Sequence, residues 1–229
     1  MVKNFDQENF KREIWTGSAF RNIATCDPMQ DLYDDLVDPK DYSALLAAER
    51  ISRGIDAAEP KQNRWFQYGK VDKSTLCFDA AFFKLSRFSD GSFGVWYGAL
   101  DEETSIRETS HKRPELDAND FKNALAPIIQ CRQLFKVSLK SEAAVDLIKK
   151  PELRAVLISD DYQVCQDLGA YAVNSKIEMY LTPSARNHSG ICIALFAPGC
   201  VKDETVMKTY LLIYINETSA PRVASMTEV

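Results

Sequence analysis

The residues best placed to do chemistry lie in one stretch, SRFSDGSFGVWYGALDEETSIRE, from 86 to 108. An arginine, Arg87, precedes a tight turn at Ser89, Asp90, Gly91 and Ser92, and an aromatic strand follows, ending at Tyr97 and Ala99. A helix then opens at Asp101 and carries Glu108 on its second turn. Where a strand end feeds a helix N-terminus, unpaired backbone N–H groups face a cleft and favour an anion. Arg87 offers a bidentate phosphate contact, Tyr97 a stacking surface and Glu108 a carboxylate. The same residues also fit plainer roles: a surface ion pair for Arg87, a half-buried strand aromatic for Tyr97, and a helix i,i+4 pair for Glu108. Further along, Ser184 follows Pro183 on a turn.

Other familiar chemistry is missing. The sequence has no GxSxG, GxxxxGK[ST], HExxH or GxGxxG pattern. Its two histidines are His111 and His188. His188 stands four residues from both Ser184 and Cys192, so a Ser–His pair or a His/Cys metal cluster with Cys200 can be drawn. Neither has the spacing of a known site, and no metal is expected.

The elements that must position these residues read as an irregular α+β mixture with a mainly antiparallel or mixed sheet. The first 60 residues read as helical, above all DPKDYSALLAAERISRGI, with Asp38 as N-cap, Pro39 at N1 and Gly54 as stop. A weaker helix covers Pro28 to Val37. RWFQYGKV, LCFDAAFFKL and FGVWYGAL read as strands, and DEETSIRETSHK as a helix capped by Asp101. IIQCRQLFKVSLK is strand-like, SEAAVDLIKK helical, LRAVLIS a strand, DDYQVCQDLGAYAVNS a helix, and KIEMYL, GICIALF and TYLLIYIN strands. The last dozen residues read as a loose tail from about 218 to 229.

Composition bounds the function classes. The 229 residues are 45% hydrophobic and 27% charged, an ordinary globular balance for one domain of this length. A net charge of −5 with no basic cluster argues against direct nucleic-acid binding. No apolar run approaches the roughly 20 residues that cross a bilayer, and the charged N-terminus does not suit a signal peptide. Six scattered cysteines without CxxC pairs suit a reducing cytoplasm.

The motifs resemble those of the RES domain family, named for an arginine, a glutamate and a serine. Its members typically show Gly-Arg-Trp, then Tyr-x-Ala-x4-Thr-Ala-x2-Glu, then Pro-Ser. The corresponding residues are Arg87-Phe88-Ser89, then Tyr97-Gly98-Ala99 with Thr104-Ser105 and Glu108, then Thr182-Pro183-Ser184-Ala185. Phe20-Arg21 looks like the counterpart of an earlier family arginine. The resemblance spans roughly 19 to 198, and residues 28–60 look like a helical insertion within a single domain over 1–229. Departures are Leu85 and Ser86 in place of glycines, Phe88 in place of tryptophan, and ICIALFAPG without the usual asparagines.

The resemblance implies an ADP-ribosyltransferase-like α+β fold and an enzyme that consumes NAD as substrate without a further cofactor. The nicotinamide–ribose bond would be cleaved, with phosphate or water as acceptor. The alternatives are transfer of ADP-ribose to a protein, or a catalytically silent binding domain on the same scaffold. In that chemistry Glu108 would stabilise the cationic ribose, and Arg87 with Arg21 would hold the pyrophosphate. Tyr97 would stack on nicotinamide. Ser184 would bond the ribose or carboxamide, or help hold Glu108. An Xre-like antitoxin is the implied partner of a toxin, and the stripe Tyr42, Leu45, Leu46 and Ile51 could serve self-association or that partner.

Overall fold

The structure, a computed structural model, describes residues 10–24, 75–80, 83–111, 128–214 and 222–228. All lie in one compact unit made of Met1–Thr25 and Ser74–Val229. The expected helices at 28–37 and 38–54, the insertion at 28–60 and the strand at 64–71 fall outside the described residues.

Nine strands and three α-helices are described: β1 (Arg12–Ala24), β2 (Leu85–Ser86), β3 (Ser89–Asp90), β4 (Trp96–Ala99), α1 (Glu102–Ser110), β5 (Ile128–Asp146), α2 (Arg154–Leu157), α3 (Gln163–Asn174), β6 (Met179–Pro183), β7 (Ile191–Leu195), β8 (Val201–Tyr214) and β9 (Arg222–Glu228). Strands β2 and β3 form a small hairpin, and the rest form one sheet in the order β1-β4-β7-β6-β5-β8-β9. Strand β1 also pairs with β5, so the pairings β1–β4–β7–β6–β5–β1 close a ring. Every pairing in the sheet is antiparallel except β5–β6, which is parallel. The expected α+β class with a mostly antiparallel sheet is what the chain adopts.

Side chains alternate between the two faces of a strand, and that alternation divides the core. All five ring strands send residues into one buried cluster: Ala19, Trp96, Val137, Leu139, Met179, Leu181, Ile193 and Leu195. That is the inner face. On the outer face, Tyr180, Ala194 and Val145 pack against Phe88 of the hairpin, Leu157 of α2 and Leu168 of α3. Helix α1 covers a third patch, where Ile106 meets Phe20, Leu134, Tyr210 and Leu212. Fully burying one large apolar side chain such as Leu168 stabilises by about 1.5–3 kcal/mol, so this outer cluster is what fixes α2, α3 and the hairpin on the sheet.

Several elements depart from expectation. Residues 12–24 are a strand rather than part of a helical N-terminal region, with odd positions from Glu13 to Ala19 more covered than the even ones between them. Within 76–85, Leu76–Phe78 form a 3-10 turn rather than a strand, and Leu85 opens β2. SEAAVDLIKK has helical composition, yet 141–146 continue β5, because they pair with β1 and β6 around a bulge. The Glu178 carboxylate accepts hydrogen bonds from Glu142 N at 2.8 Å, Ala143 N at 3.3 Å and Ser141 Oγ at 2.9 Å, satisfying the groups the bulge would orphan. Burial pulls the Glu178 pKa upward, but these donors together outweigh it and the group sits below the ordinary carboxylate range. LRAVLIS is helical rather than extended, placing Leu153 and Leu157, four residues apart, into the outer core. Within the expected loose tail, 222–228 form strand β9, paired with β8.

Candidate active site

Helix α1 begins where the sequence predicts. Asp101 is the N-cap, extended at φ −134° and ψ 158°, and its carboxylate accepts from Thr104 N at 2.8 Å and Thr104 Oγ1 at 2.7 Å. Thr104 Oγ1 in turn accepts from Asn187 Nδ2 at 2.7 Å, which ties the helix start to the turn after β6. A side chain at Gly190 would collide with that hydroxyl, a Cβ lying 2.3 Å from it, so the turn closes only with glycine there. Two turns along, α1 presents Glu108 to the same turn.

Glu108 is held by one oxygen. Its Oε1 accepts from Ser184 Oγ in a very short contact, from Ala185 N at 2.8 Å and from Arg186 N at 3.2 Å. The Cys192 thiol points at the same oxygen from 3.7 Å. Among the described residues no hydrogen bond goes to Oε2, which leaves that oxygen for a ligand. Ser184, 3% exposed, receives N–H bonds from Arg186 at 3.1 Å and Asn187 at 2.9 Å while it donates to Glu108. Its one proton and both lone pairs are therefore engaged. The contact of Ser184 with Glu108 is one of the three expected of it. Burial, and then the negative charge of Glu108, push the Cys192 thiol far above its ordinary pKa, so it stays protonated.

Arg87 occupies the turn between β2 and β3. The hairpin docks on α3 at Gly169, where a Cβ would lie 1.8 Å from the Phe88 carbonyl oxygen, and Gln166 Nε2 donates to Ser86 O at 3.1 Å. Arg87 Nη1 donates to Leu157 O at 2.9 Å and Ser159 O at 2.5 Å, and the guanidinium lies 4.6 Å from the Tyr162 ring centre. A guanidinium carries five N–H donors, so the fork keeps capacity for an anion. Tyr97, half-buried, uses its hydroxyl to accept from Phe88 N at 2.9 Å and to bond Ser86 Oγ at 2.9 Å. It grips the residues on either side of Arg87. Burial lifts its phenol pKa to about 12.

The structure thus brings Arg87, Tyr97, Glu108 and Ser184 to the outer face of the sheet. Tyr97 and Cys192 both sit there, since Tyr97 pairs with Ala194 and Ala99 with Cys192 across β4 and β7. Arg21 goes elsewhere. It alternates with Ala19 and Ile23 on the inner face, 5.1 Å from the Trp96 ring centre, with Nη1 3.9 Å from Cys77 Sγ. The drawn His188 pairings do not form: His188 is exposed, with its carbonyl accepting from Arg154 Nη2 at 3.1 Å, and Cys200 lies in the inner cluster. No group of three or more metal-ligating side chains occurs among the described residues. Nor is any described helix long and apolar enough to cross a membrane.

Three participants escaped the sequence reading: Arg186, Asp160 and the Ala185 backbone N–H. Arg186 ion-pairs with Asp160. The only signal for Arg186 was its place two residues after Ser184, and nothing in the sequence marked Asp160.

The model of the RES domain family matches residues 49–215. That span starts beyond Arg21 and includes Arg87, Tyr97, Glu108 and Ser184. No curated protein matches the chain. Among solved structures, one in the crystal structure of the M. tuberculosis MbcT-MbcA toxin–antitoxin complex is similar over 85% of this chain and 86% of that chain, at 14% identity and a TM-score of 0.41.

Proposed function

Since the chain belongs to the RES domain family, whose model matches well over half of it, we propose that it consumes NAD by cleaving the nicotinamide–ribose bond. The observation that carries this reading is Glu108, immobilised through Oε1 by Ser184, Ala185 N and Arg186 N with Oε2 left open. As the C1′–N bond breaks, its electron pair leaves with neutral nicotinamide and positive charge develops on the ribose ring. A carboxylate already fixed beside that centre stabilises it without reorganising, which is where electrostatic catalysis is strongest. Phosphate or water then forms the new C1′–O bond and gives up a proton.

Arg87 supplies fixed positive charge for the pyrophosphate, and Tyr97 acts through Arg87 by holding its turn. We assign Ser184 to positioning Glu108 and leave Arg21 out of the site. Transfer to a protein side chain uses the same cleavage step and differs in the acceptor alone. An enzyme of this kind endangers the cell that makes it, so an inhibitory partner such as the Xre-like antitoxin implied by the family belongs to this reading.

The test is to incubate purified protein with NAD, with and without phosphate, and weigh the products. ADP-ribose, ADP-ribose phosphate and a modified protein identify water, phosphate and protein as acceptor. Unchanged NAD in the presence of folded protein overturns the proposal and favours the silent binding domain.

A further inference from the structure

The segment from the last residue of α2 to the start of α3 engages two guanidiniums at once. Its Leu157 and Ser159 carbonyls and the Tyr162 ring hold Arg87. Between them, Asp160 sends its carboxylate to Arg186. Arg186 cannot stray from the site, because its own backbone N–H is one of the donors on Glu108 Oε1 at 3.2 Å. The two partners differ in exposure: the Arg186 side chain is 21% exposed and that of Asp160 72%. An ion pair with so wet a carboxylate is a weak one, since the acid loses little by returning to water. A diphosphate offers the same guanidinium more charge and bidentate geometry.

We propose that Arg186 is the second guanidinium of the anion site, and that Asp160 is a built-in counter-ion which occupies it until a substrate diphosphate displaces it. This rests on the NAD reading for the identity of the substrate, though not for the anion site itself. Arg186 fills the place that Arg21, on the inner face, leaves open. Electrostatics agree: the Asp160 carboxyl is held below its usual range by the Arg186 hydrogen bond first and the Arg186 charge next, with smaller effects from His111 and Arg87. The guanidiniums of Arg186 and Arg87 both act on the spot where this one carboxylate sits.

Calorimetric titration of the whole chain with inorganic pyrophosphate tests the idea, with ADP-ribose as the second arm. Asp160→Asn, a change at an exposed position, should tighten pyrophosphate about fivefold, the scale of losing a competing surface ion pair. Arg186→Ala should weaken it about tenfold or more, and Arg186→Lys should recover part of that loss. In the Arg186→Ala background, Asp160→Asn should have no effect. Equal tightening in both backgrounds shows a diffuse charge effect and overturns the proposal, as does unchanged affinity in Asp160→Asn. Wild-type NAD consumption is assayed separately. If NAD is untouched while the pyrophosphate pattern holds, the substrate reading fails and the anion site stands. If NAD is consumed but neither wild type nor Asp160→Asn binds pyrophosphate or ADP-ribose, the site fails and the substrate reading stands.

Discussion

Strand β4 has two faces that sit one residue apart and do different work. Trp96 points inward, fully buried among Ala19, Ile193 and Leu195, and carries the guanidinium of Arg21 on its ring. Tyr97 points outward, where its hydroxyl grips the turn of Arg87 and its neighbours lead to Glu108 and Ser184. Each face sets an arginine over an aromatic ring, Arg21 over Trp96 and Arg87 over Tyr162, and on the outer face Glu108 stands held through one oxygen. Residue type therefore does not decide which arginine belongs to a site. The pleat decides, because shifting a strand residue by one position moves it through the sheet.

The difference is sharpest at Glu108. Glu108→Gln keeps the shape and the acceptor that Ser184, Ala185 and Arg186 use, but removes the negative charge. NAD cleavage should fall about 100-fold or more while the melting temperature stays within a few degrees of wild type. Folded protein with normal turnover removes the outer face's claim to the chemistry.

Arg87→Ala should raise KM for NAD about tenfold or more, and Arg87→Lys should restore only part, because a point charge cannot copy the planar fork. Ser184→Ala should lower kcat about tenfold through a less well held Glu108 and cost about 2 kcal/mol of stability, since the Arg186 and Asn187 N–H groups lose their acceptor. Denaturant melts and kinetics on the same preparation separate the two effects. Tyr97→Phe is milder. It removes the hydroxyl that clasps Ser86 and Phe88, so KM should rise a fewfold with kcat nearly unchanged. A collapse of kcat in this variant contradicts a role exerted through Arg87.

Much of the outer face was legible because its signals are local. Asp101 followed at once by Glu102 and Glu103 announces a helix start, and the spacing from Tyr97 to Glu108 fixes a strand end, a cap and two helical turns in sequence. Helix α3 was equally clear from Cys165, Leu168, Gly169 and Ala172 on one side. Segments whose state is set by distant partners were read wrongly. SEAAVDLIKK favours a helix by composition, and only Glu178, more than 30 residues away, makes a bulged strand tolerable there. LRAVLIS is a short apolar run, a pattern that fits a buried helix as well as a strand. Arg186 and Asp160 lie 26 residues apart and meet through two separate turns, a proximity no spacing rule contains.

The smallest effect is the one that most directly tests the two faces. Arg21 follows an aromatic at the expected place in the chain, so order alone puts it in the site, whereas the pairing of Phe20 with Ala99 puts Phe20 on the outer face and Arg21 on the inner. Its contacts include the Trp96 ring, on the inner face, and the Cys77 sulfur. Arg21→Ala should thus leave KM and kcat for NAD within about twofold of wild type and instead cost about 1 kcal/mol of stability, the worth of a partly covered cation–π contact. Trp96→Phe keeps a weaker ring under the guanidinium and should make the Arg21→Ala penalty smaller, a coupling that a double-mutant cycle in denaturant reads out. A tenfold loss of NAD affinity in Arg21→Ala, with stability untouched, means that the inner face takes part in binding substrate. The division of labour between the two faces of β4 then has to be abandoned.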